Sequence, residues 1–471
     1  MALVNREASP RLFLFLKYFG LFVGCLAKFV TGSLFTFNVY QGDIKTMFNY
    51  TQTEVEWQSS LLNLGLGIGF IPGLLYDKFG PFVTSAAGLV VSVGAYMLLW
   101  STTRYVSYYR SRSGLMAFYF LLCGLGSAFT YMVALNTNII NMNKRYRGTV
   151  VGLLNSFFAG SPSIFVQIYL HALSGADKYA NFLIIFAVAF GVVDILCMVF
   201  LRIYSDEEHE DVVTIVPNDQ NQQNTEMRTV TSTKTEKSSC FSIDTTDPSS
   251  SVSSMTLAQI LRNIDFHLFS LMFVFAAAIG LVFLNNLTTI SSSVQLSSHD
   301  SLLLILIPVV NAIVSLLLGF LSDLLKEKIP RTTLLLVSCV LFTFSVALTM
   351  WTGSVLASLV IATIMCGMST GMIWTLSPTV MSERFCLQNI GRNWGMTILL
   401  AALVGLGIQE IFGHLYDAQL NNARGGECLG LSCVRGGLAV GLGSGILATI
   451  FCIIFITKSR IQNFLSERHR A

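Results

Sequence analysis

A single lysine lies deep in an apolar stretch. At about 1.5 Å per helical residue, Lys28 is roughly 25 Å from Arg11 and about 20 Å from Gln41. That depth is close to the middle of a bilayer and beyond snorkelling. An ammonium there costs at least about 3 kcal/mol unless it is paired or meets water. Two chemistries fit: a structural ion pair with an internal carboxylate, or contact with an anionic solute in a central cavity. The other ionisable groups inside apolar runs are Asp194 and Glu410, the candidate proton acceptors for coupled transport. His414 follows Glu410 by one helical turn on the same face, a pairing that could carry a proton because imidazole titrates near neutrality. A satisfied polar pair near the membrane interface is the alternative. Among uncharged side chains within the runs, Asn136, Gln167 and Asn285 are candidate solute contacts. Ordinary interhelical hydrogen bonding, worth about 0.6 kcal/mol each, is the competing reading.

These residues must be positioned by membrane spans. Of 471 residues, 53% are hydrophobic and only 12% charged, about half the charge of a soluble domain. A helix needs about 20 apolar residues to cross a bilayer. Twelve such runs occur, at 14–40, 56–76, 81–100, 114–142, 148–172, 180–202, 264–290, 300–322, 332–351, 355–381, 393–417 and 437–457. The expected fold is an all-α polytopic membrane protein. It comprises a six-helix bundle over 1–203, a cytoplasmic and largely disordered polar linker over 204–262, a second six-helix bundle over 263–457, and a cytoplasmic tail over 458–471. No cleavage signature precedes the first run, so that span is expected to remain in place. Lysine and arginine cluster in alternate loops, as at Lys144, Arg145 and Arg147 and at Lys326, Lys328 and Arg331. By the positive-inside rule both termini are cytoplasmic. A net charge of +3 gives no argument for nucleic acid.

The halves repeat. A shift of 243 residues lays Cys123-Gly124 on Cys366-Gly367, Gly148 on Gly391, Gly152 on Gly395, Gln167 on Glu410 and His171 on His414. A shift of 246 lays Gly73 to Asp77 on Gly319 to Asp323. Parallel six-span repeats are the construction of major facilitator transporters.

The segment Gly73-Leu-Leu-Tyr-Asp77-Lys78-Phe-Gly80-Pro81 resembles the signature loop between spans two and three of that superfamily, and Gly319 to Asp323 echoes it. More narrowly, Phe35 to Asp43, Arg147 to Gly152, and Gly413 to Asp417 with the trailing Cys428 and Cys433 resemble the nodulin-like branch, near the monocarboxylate and oxalate–formate porters. The resemblance implies a twelve-span, two-bundle fold and alternating access about a midplane site. It also implies gating by Gly73, Asp77 and Lys78, with Gly319 and Asp323 as the second copy. Asp77 would latch the cytoplasmic side against a positive helix end, with Lys78 as its local partner. Leu324 at the corresponding place makes the second copy the weaker expectation. A tight, soluble turn is the bland alternative.

Asn49-Tyr-Thr51 is a glycosylation acceptor in the first outer loop, and Cys428 and Cys433 are expected to pair if their loop faces an oxidising space. Six other cysteines sit in apolar runs, where a thiol behaves as a small hydrophobe. Gly65-Leu-Gly67-Ile-Gly69 follows no strand and reads as close helix approach rather than nucleotide binding. Neither a metal-ligand motif nor a Walker lysine is present, so no cofactor, metal or enzyme chemistry is expected. The reading is a secondary active transporter of a small solute, with symport of an organic anion and a proton preferred. Transport of neutral or cationic metabolites or metal chelates, or a non-transporting receptor on the same fold, are the alternatives. Expected partners are a small-molecule solute and the bilayer, in a monomer of the plasma membrane or an endomembrane.

Overall fold

The computed structural model describes residues 10–175, 177–204, 256–385, 387–422 and 428–468. The first span is α1 (Pro10–Gly32), carried on through a 3-10 turn (Ser33–Thr36) into α2 (Phe37–Phe48). The second is α3 (Gln52–Gly67) with the start of α4 (Phe70–Thr102). Eleven segments are long and apolar enough to cross a membrane, yet one of them, Thr53–Thr102, is 50 residues long and makes two passes. Gly80 divides it: with φ 80° and ψ −175° it takes a backbone conformation open to glycine, and Pro81 then starts the third span at a position where a missing N–H costs nothing. That gives twelve passes.

A one-turn helix α5 (Val106–Tyr109) leads to α6 (Ser113–Asn141), α7 (Arg147–Gln167) and α8 (Lys178–Phe200), spans four to six. The second half has a short α9 (Leu257–Arg262), then α10 (Ile264–Asn285), a short α11 (Leu287–Ser293), α12 (Asp300–Leu325), α13 (Arg331–Thr352), α14 (Leu356–Arg384), α15 (Ile390–Asn422) and α16 (Ser432–Arg468). Among the described residues there is no strand. In a bilayer this is required, because a helix satisfies its own backbone groups where water cannot. Most of the 204–262 linker lies outside the described residues.

Apolar side chains form two clusters. One lies within the first bundle and is dominated by rings, including Tyr40, Phe120, Tyr169, Phe182 and Phe186. The other fills the second bundle and also takes in Cys25, Tyr131, Met132 and Leu154 from the first. The bundles therefore share apolar core along the α4–α15 and α7–α12 contacts. Glycines permit those contacts. A Cβ on Gly152 would fall 2.9 Å from Gly319 Cα, and one on Gly395 would fall 2.6 Å from the Gly69 carbonyl carbon, so each needs its backbone bare.

Candidate functional site

Two carboxylates join the bundles at one end of the molecule, here termed the clasp end. Asp77 on α4 accepts the N–H of Gly391 at 3.0 Å and of Arg392 at 2.7 Å. These are first-turn donors of α15, which no intrahelical carbonyl can satisfy. Asp323 on α12 does the same to α7, accepting from Gly148 N–H at 3.0 Å and Thr149 N–H at 2.6 Å. A carboxylate suits a helix N-terminus because the donors converge and the dipole is positive there. The residues related by the sequence repeat, Gly148 with Gly391 and Asp77 with Asp323, are thus the ones that cross from bundle to bundle.

The second clasp is the richer, which reverses the expectation drawn from Leu324. Asp323 also accepts from the Thr149 hydroxyl at 2.7 Å and pairs with Arg331, which bridges on to Glu383. Arg147 of α7 donates to the Ser382 carbonyl of α14 at 3.3 Å. Lys78 is exposed, its ammonium 5.0 Å from the centre of the Phe79 ring, while Asp77 accepts from backbone donors of the opposite bundle. Asn136, read from sequence as a solute contact, sits beside this clasp: its Nδ2 would be 3.1 Å from a Cβ on Gly391.

Deep between the bundles lies Lys28, 1% exposed. Its ammonium is 2.9 Å from the centre of the Tyr131 ring and 5.7 Å from that of Phe158, an arrangement in which ring quadrupoles stabilise a cation. None of the described carboxylates is within ion-pair distance of it. Tyr131 and Phe158 pack edge to face at 5.7 Å. From the other bundle, the Trp394 indole lies beside the Tyr131 hydroxyl, and its fully buried N–H has no well-formed hydrogen bond. Trp394 packs on Phe273 at 4.9 Å and Trp374 at 6.3 Å. The result is one cation over two rings of the first half, backed by an aromatic cluster of the second. The rings carried no sequence signal, because an aromatic residue in an apolar span is most often simple core.

The remaining sequence candidates are elsewhere. Gln167, Asn285, Glu410 and His414 are exposed; the neighbouring amides Asn286 and Gln409 are the ones that pair between spans, at 2.9 Å. Asp194 is wholly buried inside the first bundle, where Thr130 donates to its Oδ1 at 2.8 Å. Asn49 is exposed in a left-handed cap at φ 56°, and Cys428 and Cys433 form a disulfide. Among the described residues no cluster could hold a metal ion.

Comparison with known proteins agrees with this architecture. Residues 17–243 match the Nodulin-like family and residues 251–467 the C-terminal domain of the NFD4 family. A probable transporter, MCH1, of Yarrowia lipolytica is 29% identical over 44% of this chain and 45% of its own length. The uncharacterised transporter YhjX of Escherichia coli is 22% identical over 82% of this chain and 84% of its own. The crystal structure of the transporter FucP in its outward conformation superposes with a TM-score of 0.62 at 12% identity, over 93% of this chain and 99% of that one. The human organic anion transporter MFSD10 has a TM-score of 0.60 at 12% identity over the same shares. With twelve passes, two clasped bundles and these relatives, the chain is a multi-pass membrane transporter, not an enzyme, and belongs to the nodulin-like branch of the major facilitator superfamily.

Proposed function

We propose that the protein moves a small organic anion across the membrane by alternating access, coupled to protons, with Lys28 as the anion's charge partner. The observation that carries this reading is the Lys28 ammonium, buried between the bundles over the faces of Tyr131 and Phe158 and with no carboxylate paired to it. A structural ion pair would need an acidic partner within reach. An exchangeable anion supplies that charge only while bound, which makes occupancy and bundle closure interdependent. Trp394 offers a second donor from the opposite bundle, so an anion held by both would draw the halves together. The Asp77 and Asp323 clasps then act as the gate at the opposite limit of the cycle, and the basic loops support a cytoplasmic clasp end.

Purified protein in liposomes, offered a panel of radiolabelled mono- and dicarboxylates with and without an inward proton gradient, tests the reading. Gradient-stimulated uptake of at least one carboxylate is expected, with its loss in Lys28→Gln and partial retention in Lys28→Arg. Lys28→Gln should remain folded, because no buried carboxylate is left uncompensated. A folded Lys28→Gln protein with undiminished uptake would remove Lys28 from the site. Uptake confined to neutral or cationic solutes would remove the anion reading altogether.

A further inference from the structure

Asp194 sits on α8 among uncharged groups. The helices against it present Ser85, Gly88 and Ser92 from α4 and Gly126 and Thr130 from α6; a Cβ on Gly88 would lie 3.6 Å from Asp194 Oδ1 and 3.5 Å from Thr130 Oγ1. Its titratable neighbour is Cys197, one turn along its own helix. The α1 contacts with α8 include Phe19 and Gly20 against Phe200, and those of α2 with α8 include Tyr40 on Phe182. No basic group is paired with Asp194 among the described residues.

Three polar atoms in this seam are fully buried without a hydrogen-bond partner: Asp194 Oδ2, Ser85 Oγ and Ser92 Oγ. Such atoms are rare in folded proteins and ask for a reason. Protonating Asp194 does not supply one by itself, since among the described residues no donor or acceptor bonds Oδ2. The serines are also too far apart along α4, seven residues or roughly 10 Å, to share one small cation. Ser85, Gly88 and Ser92 follow one another at three- and four-residue steps, so they lie on one helix face with Asp194 opposite the middle of it. Otherwise unsatisfied buried polar groups of this kind are what hold bound water inside proteins.

We propose that Asp194 carries the coupling proton, and that a file of bound water along Ser85, Asp194 and Ser92 delivers it, at a site inside the first bundle and separate from the Lys28 site. This deepens the proton-coupled reading above and rests on it. The proton passes from water beside Ser92 to Oδ2, where an O–H bond forms and the negative charge is lost, and it leaves to water beside Ser85 as that bond breaks, with nothing oxidised or reduced. Ser85 is five residues from the Gly80 turn, about 7.5 Å along the helix, so the Ser85 end of the file lies towards the clasp end. The link to the anion site is Thr130-Tyr131: one residue holds Asp194 and the next holds Lys28. A change in charge at Asp194 is thus felt one residue from the aromatic wall of the anion site.

Infrared spectroscopy of the full-length protein in liposomes tests this without any substrate. The expected result is a protonated-carboxyl band at neutral pH that is lost in Asp194→Asn, shifts promptly in D2O, and shifts far more slowly in the Ser85→Ala/Ser92→Ala double variant. If Asp194→Asn fails to fold, the serine variants still report exchange at the native carboxyl. An ionised Asp194, seen as no carboxylic-acid band lost in Asp194→Asn, would overturn the proposal, as would deuterium exchange that the serine variants leave unchanged. In the carboxylate uptake assay, Asp194→Asn should lose stimulation by the proton gradient. If the wild-type protein takes up no carboxylate, the Lys28 reading falls while the infrared result still decides Asp194.

Discussion

The two clasps share a backbone plan and differ in charge. At both, a carboxylate caps the N-terminus of a helix in the other bundle, with a bare glycine at the contact. Around Asp323, however, the Thr149 hydroxyl adds a third bond across the junction and Arg331 and Glu383 extend it within the second bundle, whereas Asp77 accepts from two backbone N–H groups. The repeat preserved what the close approach of helices requires. The surrounding charges were free to diverge, so the two halves of one gate should open at different cost.

The largest effect is expected at Asp323. Asparagine there removes the charge that meets two N–H groups and the Thr149 hydroxyl of α7, worth together about 2–4 kcal/mol. Spin-label distances between the bundles at the clasp end should shift to a predominantly open population. A distribution unchanged from wild type would reduce Asp323 to a turn residue.

Asp77→Asn keeps the shape and removes the charge that meets the α15 N-terminus. That interaction is worth about 1–2 kcal/mol, so the open population should rise roughly tenfold and less than in Asp323→Asn. An equal or larger effect at Asp77 would break the proposed asymmetry. Combining the two substitutions sharpens it: if both clasps act on one closure, their energies add to within about 0.5 kcal/mol, and a larger coupling would mean that one clasp forms only with the other.

Smaller still, Thr149→Val deletes one hydroxyl bond to Asp323 and should raise the open fraction by about fivefold, on the order of 1 kcal/mol. The smallest effect belongs to the disulfide in the loop at the opposite end. Reducing Cys428–Cys433 should leave the clasp-end distances unchanged, and any shift there would show that the two ends communicate through α15 or α16.

The number of spans, the duplication and the exceptional status of Lys28 were legible because each rests on a strong local signal: twenty apolar residues, a repeated glycine, a charge where charge is costly. Gly148 and Gly391 could be matched by the repeat before any contact was known. Their acceptors could be placed near a helix end, as Asp77 was, but the end in question could not. Lys78 looked like the natural partner because it is adjacent in sequence; the donors chosen instead are more than 300 residues away.

Polarity along the chain therefore decided by itself that this is a membrane protein of two related bundles, since a bilayer admits few ways to satisfy a backbone. Which polar side chains face inward was left to tertiary structure. Asp194 and Glu410 look alike as single acids in apolar runs, yet one is wholly enclosed and the other exposed. A helix of 3.6 residues per turn presents every direction within one turn, and only the packing of its neighbours determines which direction is the interior. The aromatic ring around Lys28 shows the same thing. Tyr131 and Phe158 meet the cation, Trp394 reaches Tyr131 from the opposite bundle, and Phe273 and Trp374 pack behind it; nothing but the closure of one bundle on the other joins these five spans.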